Sequence, residues 1–520
     1  MSLLAIENLV IRFPGQPRPA VDGVSLHIDA GETLGIVGES GSGKSLTAMA
    51  LTGFAPRDAA LSGTVRWRGA VHDPAALARL RGREIGIVFQ EPAGCLNPLM
   101  AVGAQIAEIP GRRAGVADLL VEVGLDPALA GRHPHALSGG QQQRVMIAIA
   151  LAGDPLLLIA DEPTTALDMT VQAQILALLT ALRARRGMAL LFVSHDLNLI
   201  AALAGRVAVM QAGQVVETAA TAALFAAPRH PHTRALLSAH RLPTLRNRAV
   251  GAETVLACED VSIDYPGRFP FGTAHRAVSR ASFTLCAGET LGLVGESGSG
   301  KSTIARAVMG LLPVAEGRIT LFGAALPRRR QPGHARCQIV FQDSGGSLNP
   351  RLTVGRIIAE PLDLRGLHQG GGRGRRLDAL MHEVGLDPTL LGRYPHQLSG
   401  GQRQRVNIAR ALALDPDVLL CDEIVSALDA TVQVQILTLL AAIQARRHLA
   451  MLFISHDLAV IRAVAHRVAV MHCSRIVETA ETEVLFAHPA HPTTQSLMAA
   501  RLAAPVTPIA AEMAISQMHG

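Results

Sequence analysis

Short, unbroken apolar runs recur along the chain, and each is followed by a glycine or a polar residue. Three of them in the amino-terminal half cover residues 34–37, 156–160 and 189–193, with helical patterns between them. Runs of this length with polar carboxyl ends are typical of buried parallel strands. The pattern therefore predicts an α/β fold, in which ligands bind just beyond the carboxyl ends of the strands.

Nearly the whole chain repeats once. The segment GESGSGKS at 38–45 returns unchanged at 295–302, and LSGGQ at 137–141 returns at 398–402. Two further short motifs return in the same order and at a similar spacing. A repeat of this size indicates a duplicated domain, because each copy is long enough to build its own core. We predict a first domain at 1–243, a linker at 244–253 and a second domain at 254–520.

Composition fits an ordinary globular protein. Of 520 residues, 49% are apolar and 17% are charged, so there is material for a core and no signature of disorder. No stretch of about 18 uncharged apolar residues predicts a membrane span, and the amino terminus has no secretory pattern. We therefore expect a cytosolic chain. The six cysteines are scattered without metal-ligand spacing, which indicates reduced and mostly buried thiols.

The net charge of +6 permits contact with nucleic acid but does not require it. Basic clusters occur at 328–330 and 373–376, and only 3% of the chain is aromatic. Because single-stranded nucleic acid is usually held by stacking on aromatic side chains, no nucleic-acid partner is expected. We expect both basic clusters to lie in solvated loops.

The repeated Gly-rich segment follows a strand-like run and precedes a helical pattern, which is the context of a phosphate-binding loop. Its glycines let backbone N–H groups turn toward phosphates, its lysine neutralises phosphate charge, and its final serine can ligate Mg²⁺. The chain has only two lysines among 48 basic residues, and both lie in these loops. The predicted phosphate-loop residues are Gly38, Ser40, Gly41, Gly43, Lys44, Ser45, Gly295, Ser297, Gly298, Gly300, Lys301 and Ser302.

Polar residues at the ends of other apolar runs complete a candidate hydrolytic site. An aspartate there can hold Mg²⁺, the next glutamate can polarise the attacking water, and a nearby glutamine and histidine can contact the metal and the γ-phosphate. The predicted catalytic residues are Glu162, Glu423, His195, His456, Gln90 and Gln342. The predicted metal ligands are Ser45, Gln90, Asp161, Ser302, Gln342 and Asp422.

With the LSGGQ segments added, the chain resembles the ATP-binding-cassette (ABC) ATPases over essentially its full length. The resemblance implies two tandem P-loop nucleotide-binding domains, each a mixed α/β core with a helical subdomain, that use ATP and Mg²⁺. It also implies that each ATP lies between the phosphate loop of one half and the signature segment of the other. The residues so implied are Ser138, Gly139, Gly140, Ser399, Gly400 and Gly401, with Phe13 and Tyr265 stacking on adenine.

Four segments are similar to the peptide and nickel importer branch of that family. They are 90–98 and 342–350, each ending in Leu-Asn-Pro, and the His-Pro segments at 230–237 and 491–497. The resemblance implies an ATPase subunit peripheral to the cytoplasmic face of the inner membrane. Its expected partners are two transmembrane permeases and an extracytoplasmic solute-binding protein. The transported solute cannot be inferred from this chain.

Departures from the branch pattern and two alternatives remain. No cysteine lies between Cys95 and Cys258, so no iron–sulfur cluster is expected. Ile424 stands where the family usually has proline, and we expect a looser turn after Glu423. The alternatives are a soluble tandem ATPase acting on ribosomes or DNA, and an exporter ATPase. The short linker disfavours the first alternative, and the Leu-Asn-Pro and His-Pro segments disfavour the second.

Overall fold

The computed structural model contains two compact units whose main spans are residues 1–241 and 242–501. The predicted linker at 244–253 falls within the span of the second unit, and its boundaries stay a prediction. The structure describes residues 2–54, 56, 58–109, 111–164, 167, 169–239, 242–246, 250–265, 275–296, 298–326, 335–342, 346–367, 372–426 and 428–502.

The first unit contains ten described strands and ten described α-helices. The strands are β1 (Ser2–Arg12), β2 (Val21–Asp29), β3 (Thr33–Gly38), β4 (Ala60–Trp67), β5 (Ala70–His72), β6 (Ile85–Val88), β7 (Leu157–Asp161), β8 (Ala189–Ser194), β9 (Arg206–Gln211) and β10 (Gln214–Ala220). The helices are α1 (Lys44–Ala50), α2 (Pro74–Leu80), α3 (Pro92–Cys95), α4 (Val102–Ala107), α5 (Val116–Glu122), α6 (Gly139–Leu151), α7 (Met169–Arg186), α8 (Leu197–Leu203), α9 (Thr221–Ala226) and α10 (Pro231–Ala239).

Two sheets form the core of this unit. Six strands pair in the order β10-β9-β3-β8-β7-β6, and all except the antiparallel β10 run parallel. In β3, Ile36 pairs with Val193 on one side and Ala208 on the other, and it has no exposed surface. The other sheet is antiparallel, in the order β2-β1-β4-β5. The apolar runs of the sequence are thus buried parallel strands, as predicted.

Helices α3 to α6 lie between β6 and β7 in sequence and form the helical part of the unit. They bury side chains such as Ile106, Leu119 and Ile147 completely, together with residues of the six-stranded sheet. Two short 3-10 helices, Pro127–Gly131 and Pro134–Ala136, lead into α6. Because β6 and β7 are adjacent and parallel, this insertion carries residues from the end of one strand around to the start of the next.

The second unit repeats this plan. Its strands are β11 (Thr254–Tyr265), β12 (His275–Cys286), β13 (Thr290–Gly295), β14 (Glu316–Leu321), β15 (Ala324–Ala325), β16 (Cys337–Val340), β17 (Val418–Asp422), β18 (Ala450–Ile454), β19 (Arg467–His472) and β20 (Arg475–Glu481). Its helices are α11 (Lys301–Val308), α12 (Val354–Leu364), α13 (Gly372–Glu383), α14 (Gly400–Leu412), α15 (Ala430–Arg447), α16 (Leu458–Val464), α17 (Thr482–Ala487) and α18 (Pro492–Leu502).

The sheets of the second unit have the same topology. The larger has the order β16-β17-β18-β13-β19-β20, and the smaller has the order β12-β11-β14-β15. One expectation about this unit is corrected: Arg373 and Arg376 lie on helix α13 rather than in a loop, and they pair with Asp363 and Asp415. The cluster at 328–330 lies outside the described residues. Among the described residues, no helix is both long and apolar enough for a membrane span.

Part of the predicted linker packs on the second unit. The backbone N–H groups of Leu245 and Arg246 both donate to the Ala463 carbonyl, at 2.8 and 3.2 Å. The Arg246 guanidinium donates to the Arg462 carbonyl at 3.0 Å and to the Glu483 carboxylate at 2.7 Å. These acceptors lie at the carboxyl end of α16 and the start of α17, so a cation there also offsets the negative end of a helix.

Candidate active site

Each phosphate loop joins the end of a central strand to the start of a helix, β3 to α1 and β13 to α11. Gly43 and Gly300 precede these helices with φ of 97° and 106°, in the left-handed region that favours glycine. A Cβ on Gly38 would lie 2.3 Å from the Met210 carbonyl oxygen. The sequence therefore needs glycine at these positions because the loop turns sharply and lies directly against β9.

The two lysines curl back onto their own loops. Lys44 Nζ donates to the carbonyls of Gly38 and Glu39 at 2.8 and 2.9 Å. Lys301 Nζ makes the equivalent bonds to Gly295 and Glu296 at 2.9 and 2.8 Å. Both side chains are buried, so a compact ammonium is held at the loop where phosphates would bind.

A serine and an aspartate come together at the start of each of these helices. Ser45 Oγ donates to Asp161 Oδ1 at 2.9 Å, and Ser302 Oγ donates to Asp422 Oδ1 at 2.8 Å. Both carboxyl groups are buried, and desolvation raises their pKa above the ordinary value although the serine bond opposes it. Hydroxyl and carboxylate oxygens are ligands that Mg²⁺ accepts, so this pair fits the ion, whose charge would offset the desolvation.

The glutamate that follows each aspartate contacts the predicted glutamine. Gln90 Nε2 donates to Glu162 Oε2 at 3.0 Å, and Gln342 Nε2 donates to Glu423 Oε2 at 2.8 Å. The glutamine follows β6 or β16, and the glutamate follows the neighbouring β7 or β17. The sheet topology thus brings residues separated by 72 or 81 positions into contact.

Both glutamates adopt the same uncommon backbone conformation. Their φ values are 46° and 49°, in the left-handed region that residues with a Cβ rarely occupy. Each N–H donates to the last residues of the neighbouring strand, Glu162 to Val193 O at 2.9 Å and Glu423 to Ile454 O at 3.0 Å. This backbone conformation places the glutamate carboxylate beyond the carboxyl end of its strand.

The turn after Glu423 keeps this geometry without proline. Ile424 is 2% exposed, and Ser426 donates both its N–H and its hydroxyl to the Glu423 carbonyl, at 3.3 and 2.9 Å. Burial of the isoleucine and these two bonds are the contacts of this turn, at the position where the first unit has Pro163. The φ of Glu423 differs from that of Glu162 by only 3°, and a looser turn after Glu423 stays a prediction.

The predicted histidines also lie beside these glutamates. His195 Nδ1 is 3.2 Å from Glu162 Oε1, and His456 Nδ1 is 3.5 Å from Glu423 Oε2. The hydrogen bond to the carboxylate raises the pKa of each imidazole above its ordinary value, against the opposite effect of burial. The same bond lowers the pKa of Glu423. The charged forms of both partners are therefore favoured.

The signature segments begin helices α6 and α14. Ser138 and Ser399 cap these helices, each with a capping box in which the serine accepts from the third helical N–H. Both serines are exposed. The following glycines place backbone N–H groups at the positive end of a 13-residue helix, an arrangement that can bind an anion. A Cβ on Gly140 would lie 2.7 Å from Val171 Cγ1, so glycine is required there too.

The predicted adenine-stacking residues differ in their surroundings. Phe13 is half-buried and packs against the core of its unit. Tyr265 is also half-buried, and its hydroxyl lies 3.4 Å from Thr303 Oγ1, on the helix after the second phosphate loop. Their stacking on adenine stays a prediction.

The remaining predicted residues of the two phosphate loops differ in their exposure. Ser40 and Gly41 are exposed on the first loop, and Gly298 is exposed on the second. Ser297 lies outside the described residues.

Sequence reasoning missed Ser42 and Ser299, whose hydroxyls are buried in the loops and have no hydrogen-bond partner in the described part of the chain. Their place inside the Gly-rich motif was the signal that could have marked them as phosphate contacts.

Two known families match parts of this sequence. The family described as "ABC transporter" matches residues 21–165 and 278–426, one match in each unit. A second family, "Oligopeptide/dipeptide transporter, C-terminal region", matches residues 216–254.

Individual relatives match along nearly the entire chain. The chain is 43% identical to the "Glutathione import ATP-binding protein GsiA" of Salmonella choleraesuis (strain SC-B67), covering 95% of this chain and 88% of that protein. It is 46% identical to the "Uncharacterized ABC transporter ATP-binding protein YejF" of Escherichia coli (strain K12), covering 96% and 99%. These names give no support to the ribosome or DNA alternative. The chain belongs to the ABC transporter family, in which it is an ATP-binding and ATP-hydrolysing subunit with two fused cassettes.

Proposed function

We propose that this ATPase drives the import of dipeptides, oligopeptides or chemically related solutes. The observation that carries the proposal is the match of residues 216–254 to the oligopeptide/dipeptide transporter C-terminal region. The import name of the relative GsiA points the same way. An exporter is disfavoured by both.

The contacts of this region support a built element rather than a loose tail. Glu217 accepts hydrogen bonds from the backbone N–H groups of Arg229 and His230, both at 2.9 Å. In the second unit, Glu478 accepts from Ala490 and His491 at 2.9 and 3.0 Å. In each unit the bonded segment leads into a helix that begins at a proline, α10 or α18. The segment thus has the same attachment in both units.

The proposed partners are two transmembrane permeases and an extracytoplasmic solute-binding protein, with this chain peripheral to the cytoplasmic face of the inner membrane. Each cassette would serve one permease. Leu99 is 85% exposed and directly follows the Asn-Pro of the segment that begins at Gln90. We propose that the segment from Gln90 to Leu99 faces a permease, because its first residue contacts Glu162 and its last residue is exposed.

For the chemistry, we propose that Ser45 and Asp161 hold Mg²⁺ and that Glu162 orients the attacking water. Gln90 and His195 would contact the metal, the water or the γ-phosphate, and Ser302, Asp422, Glu423, Gln342 and His456 would repeat these roles. The buried lysine and the loop N–H groups stabilise charge on the phosphates. In the ATP-bound state, Ser399 and the glycines after it would complete the first site, and Ser138 with its glycines would complete the second.

Reconstitution tests the importer proposal. The full chain is combined in lipid vesicles with two candidate permeases and a candidate solute-binding protein, and both ATP hydrolysis and solute uptake are measured. Labelled dipeptide, oligopeptide, glutathione and Ni²⁺ serve as separate probes. Uptake of a peptide or glutathione coupled to stimulated hydrolysis is expected. Uptake of Ni²⁺ alone, or stimulation by ribosomes or DNA instead, would refute the proposal.

A separate measurement tests the shared ATP sites. Single cysteine labels are placed beside Ser42 and Ser399 in a chain whose native cysteines have been replaced. Non-hydrolysable ATP should bring the labels together at a rate that does not depend on protein concentration, because both cassettes belong to one chain. A strictly concentration-dependent rate would show that the sites form between chains.

A further inference from the structure

The turn between β19 and β20 differs in chemistry from the same turn in the first unit. It contains Cys473 and Ser474, with φ of 44° and 66°, after His472 at the end of β19. The first unit has Gln211, Ala212 and Gly213 at these positions. Ala212 has φ of 48°, so the backbone turns alike and only the side chains differ. The second unit therefore carries a nucleophile and a base where the first has neither.

This turn lies against the second phosphate loop. A Cβ on Gly295 would lie 2.2 Å from the carbonyl oxygen of Met471, the residue before His472. The backbone carbonyl of the next loop residue, Glu296, accepts a hydrogen bond from the Lys301 ammonium at 2.8 Å. Any displacement of the turn or of Glu296 therefore acts on the groups that hold the lysine.

Three side chains form a cluster between the turn and the loop. Cys473 Sγ lies 3.3 Å from His472 Nε2, and His472 Nδ1 lies 3.6 Å from Glu296 Oε2. The imidazole thus lies next to the thiol, and the carboxylate is near its other ring nitrogen but beyond hydrogen-bond distance. A thiol beside an imidazole is the pairing found in activated cysteines. Cys473 is exposed, so a small reagent in solution can reach its sulfur.

We propose that Cys473 is a reactive thiol and that its modification by a low-molecular-weight disulfide weakens ATP binding at the second phosphate loop. The Cys473 proton passes to His472 Nε2, and the thiolate attacks one sulfur of the disulfide. A new S–S bond forms as the original one breaks, and the departing thiolate takes the proton from the imidazolium as a free thiol. The cysteine is oxidised and the departing half of the reagent is reduced, so electrons balance.

The consequence for ATP binding follows from the contacts. A group attached to Cys473 occupies the space next to His472 and separates the imidazole from Glu296. Glu296 then loses its imidazole neighbour, and its backbone, which holds Lys301, is no longer in contact with the turn from that side. The first phosphate loop is unaffected because Ala212 cannot be modified in this way.

Alkylation rates test the reactivity by themselves. The full chain is treated with limiting iodoacetamide, and carboxamidomethylation of each cysteine is followed by peptide mass spectrometry. Cys95 is the internal control, since it is also exposed and both burial and the Glu91 carboxylate raise the pKa of its thiol. Cys473 should react about tenfold faster than Cys95. His472→Gln, which installs the residue of the first unit, should remove that advantage, and equal rates at the two thiols or an unchanged rate in His472→Gln would overturn the proposal.

Titration with a fluorescent ATP analogue tests the coupling. A Lys44→Ala chain is used so that the second loop dominates the signal, and it is treated with cystamine before titration. The affinity should fall roughly tenfold, the effect expected when one or two loop hydrogen bonds are lost, and dithiothreitol should restore it. The Cys473→Ala variant, which has the alanine found at this position in the first unit, should bind ATP with the same affinity before and after cystamine treatment. An unchanged affinity in a chain shown to be modified at Cys473, or an equal loss in Cys473→Ala, would overturn the coupling.

Discussion

The Gln342 side-chain amide donates a 2.8 Å hydrogen bond to the Glu423 carboxylate, and the first unit repeats this contact between Gln90 and Glu162 at 3.0 Å. Each glutamine begins the segment that leads into the helical part of its unit. A shift of that segment would therefore move a direct partner of the carboxylate that is proposed to orient water. The contact offers a route by which a partner on the helical part could control hydrolysis.

Both sites should hydrolyse ATP. Glu162→Gln and Glu423→Gln should each slow single-turnover hydrolysis at their own site by about 10²–10⁴-fold, because the amide cannot accept the proton. Site-resolved quench-flow measurements would show the loss. Since the two glutamates have the same φ and equivalent partners, the losses should be of similar size. A normal rate in Glu423→Gln beside an inactive Glu162→Gln would show a degenerate second site.

The serines that bind Asp161 and Asp422 should set the Mg²⁺ requirement. Ser45→Ala or Ser302→Ala removes one oxygen from the proposed metal site, so the Mg²⁺ concentration for half-maximal hydrolysis should rise several-fold. Ser→Thr at the same positions keeps the hydroxyl and serves as the matched control. A Mg²⁺ dependence unchanged in the alanine variants would place the metal elsewhere.

The docked linker should come loose when Glu483 is neutralised. Glu483→Gln leaves Arg246 and Arg462 without their shared carboxylate, so trypsin should cut after Arg246 sooner than in the parent chain. Limited proteolysis followed by mass spectrometry measures this. Glu481 is also exposed, so Glu481→Gln is the control. An identical cutting rate in the parent, Glu483→Gln and Glu481→Gln would contradict the prediction.

The same carboxylate makes a pH-dependent contribution. Hydrogen bonds from Arg462 and Arg246 lower the pKa of Glu483 to about 2, below the value of about 4.3 expected in an unfolded chain. Its stabilising effect is thus complete above the unfolded value and is lost as the pH falls toward 2. The difference in unfolding free energy between the parent and Glu483→Gln should be constant near neutrality and shrink below about pH 4. A difference that grows on acidification would contradict this.

The glutamates that hold the His-Pro segments should stabilise the terminal helix of each unit. Glu217→Ala or Glu478→Ala removes the acceptor of two backbone N–H groups, at a cost of about 1 kcal/mol by analogy with helix caps. Hydrogen exchange should then quicken at the amides of 229–230 or 490–491. The Gln variants retain one acceptor oxygen and should lie between parent and Ala. Exchange that is unchanged in Glu→Ala would rule out the capping role.

Much of the site could be predicted because its chemistry is local in sequence. The phosphate loop, the Asp-Glu pair and the capped LSGGQ helix are short motifs whose residue types follow from strand ends and helix starts. The contact of Gln342 with Glu423 could be expected once β16 and β17 were taken as neighbours, since parallel strands end at one edge.

Other features depend on partners that are far apart in sequence. Arg246 meets Glu483 across 237 positions, and nothing in the linker itself marks that arginine as bound. A comparison of the two halves does mark it, because Arg462 and Glu483 correspond to Ala201 and Ala222 in the first unit. The burial of Ile424 is likewise a feature of packing, which a sequence pattern does not report.

The two lysines have a practical consequence for chemical labelling. Lys44 and Lys301 are the only lysines of the chain, and each ammonium is bonded to two carbonyls of a phosphate loop with 5% and 6% of the residue exposed. Apart from the α-amino group, an acylating reagent therefore has no primary amine to modify outside the two nucleotide sites. Acylation of each lysine, read by mass spectrometry, becomes a direct measure of how often its own loop opens.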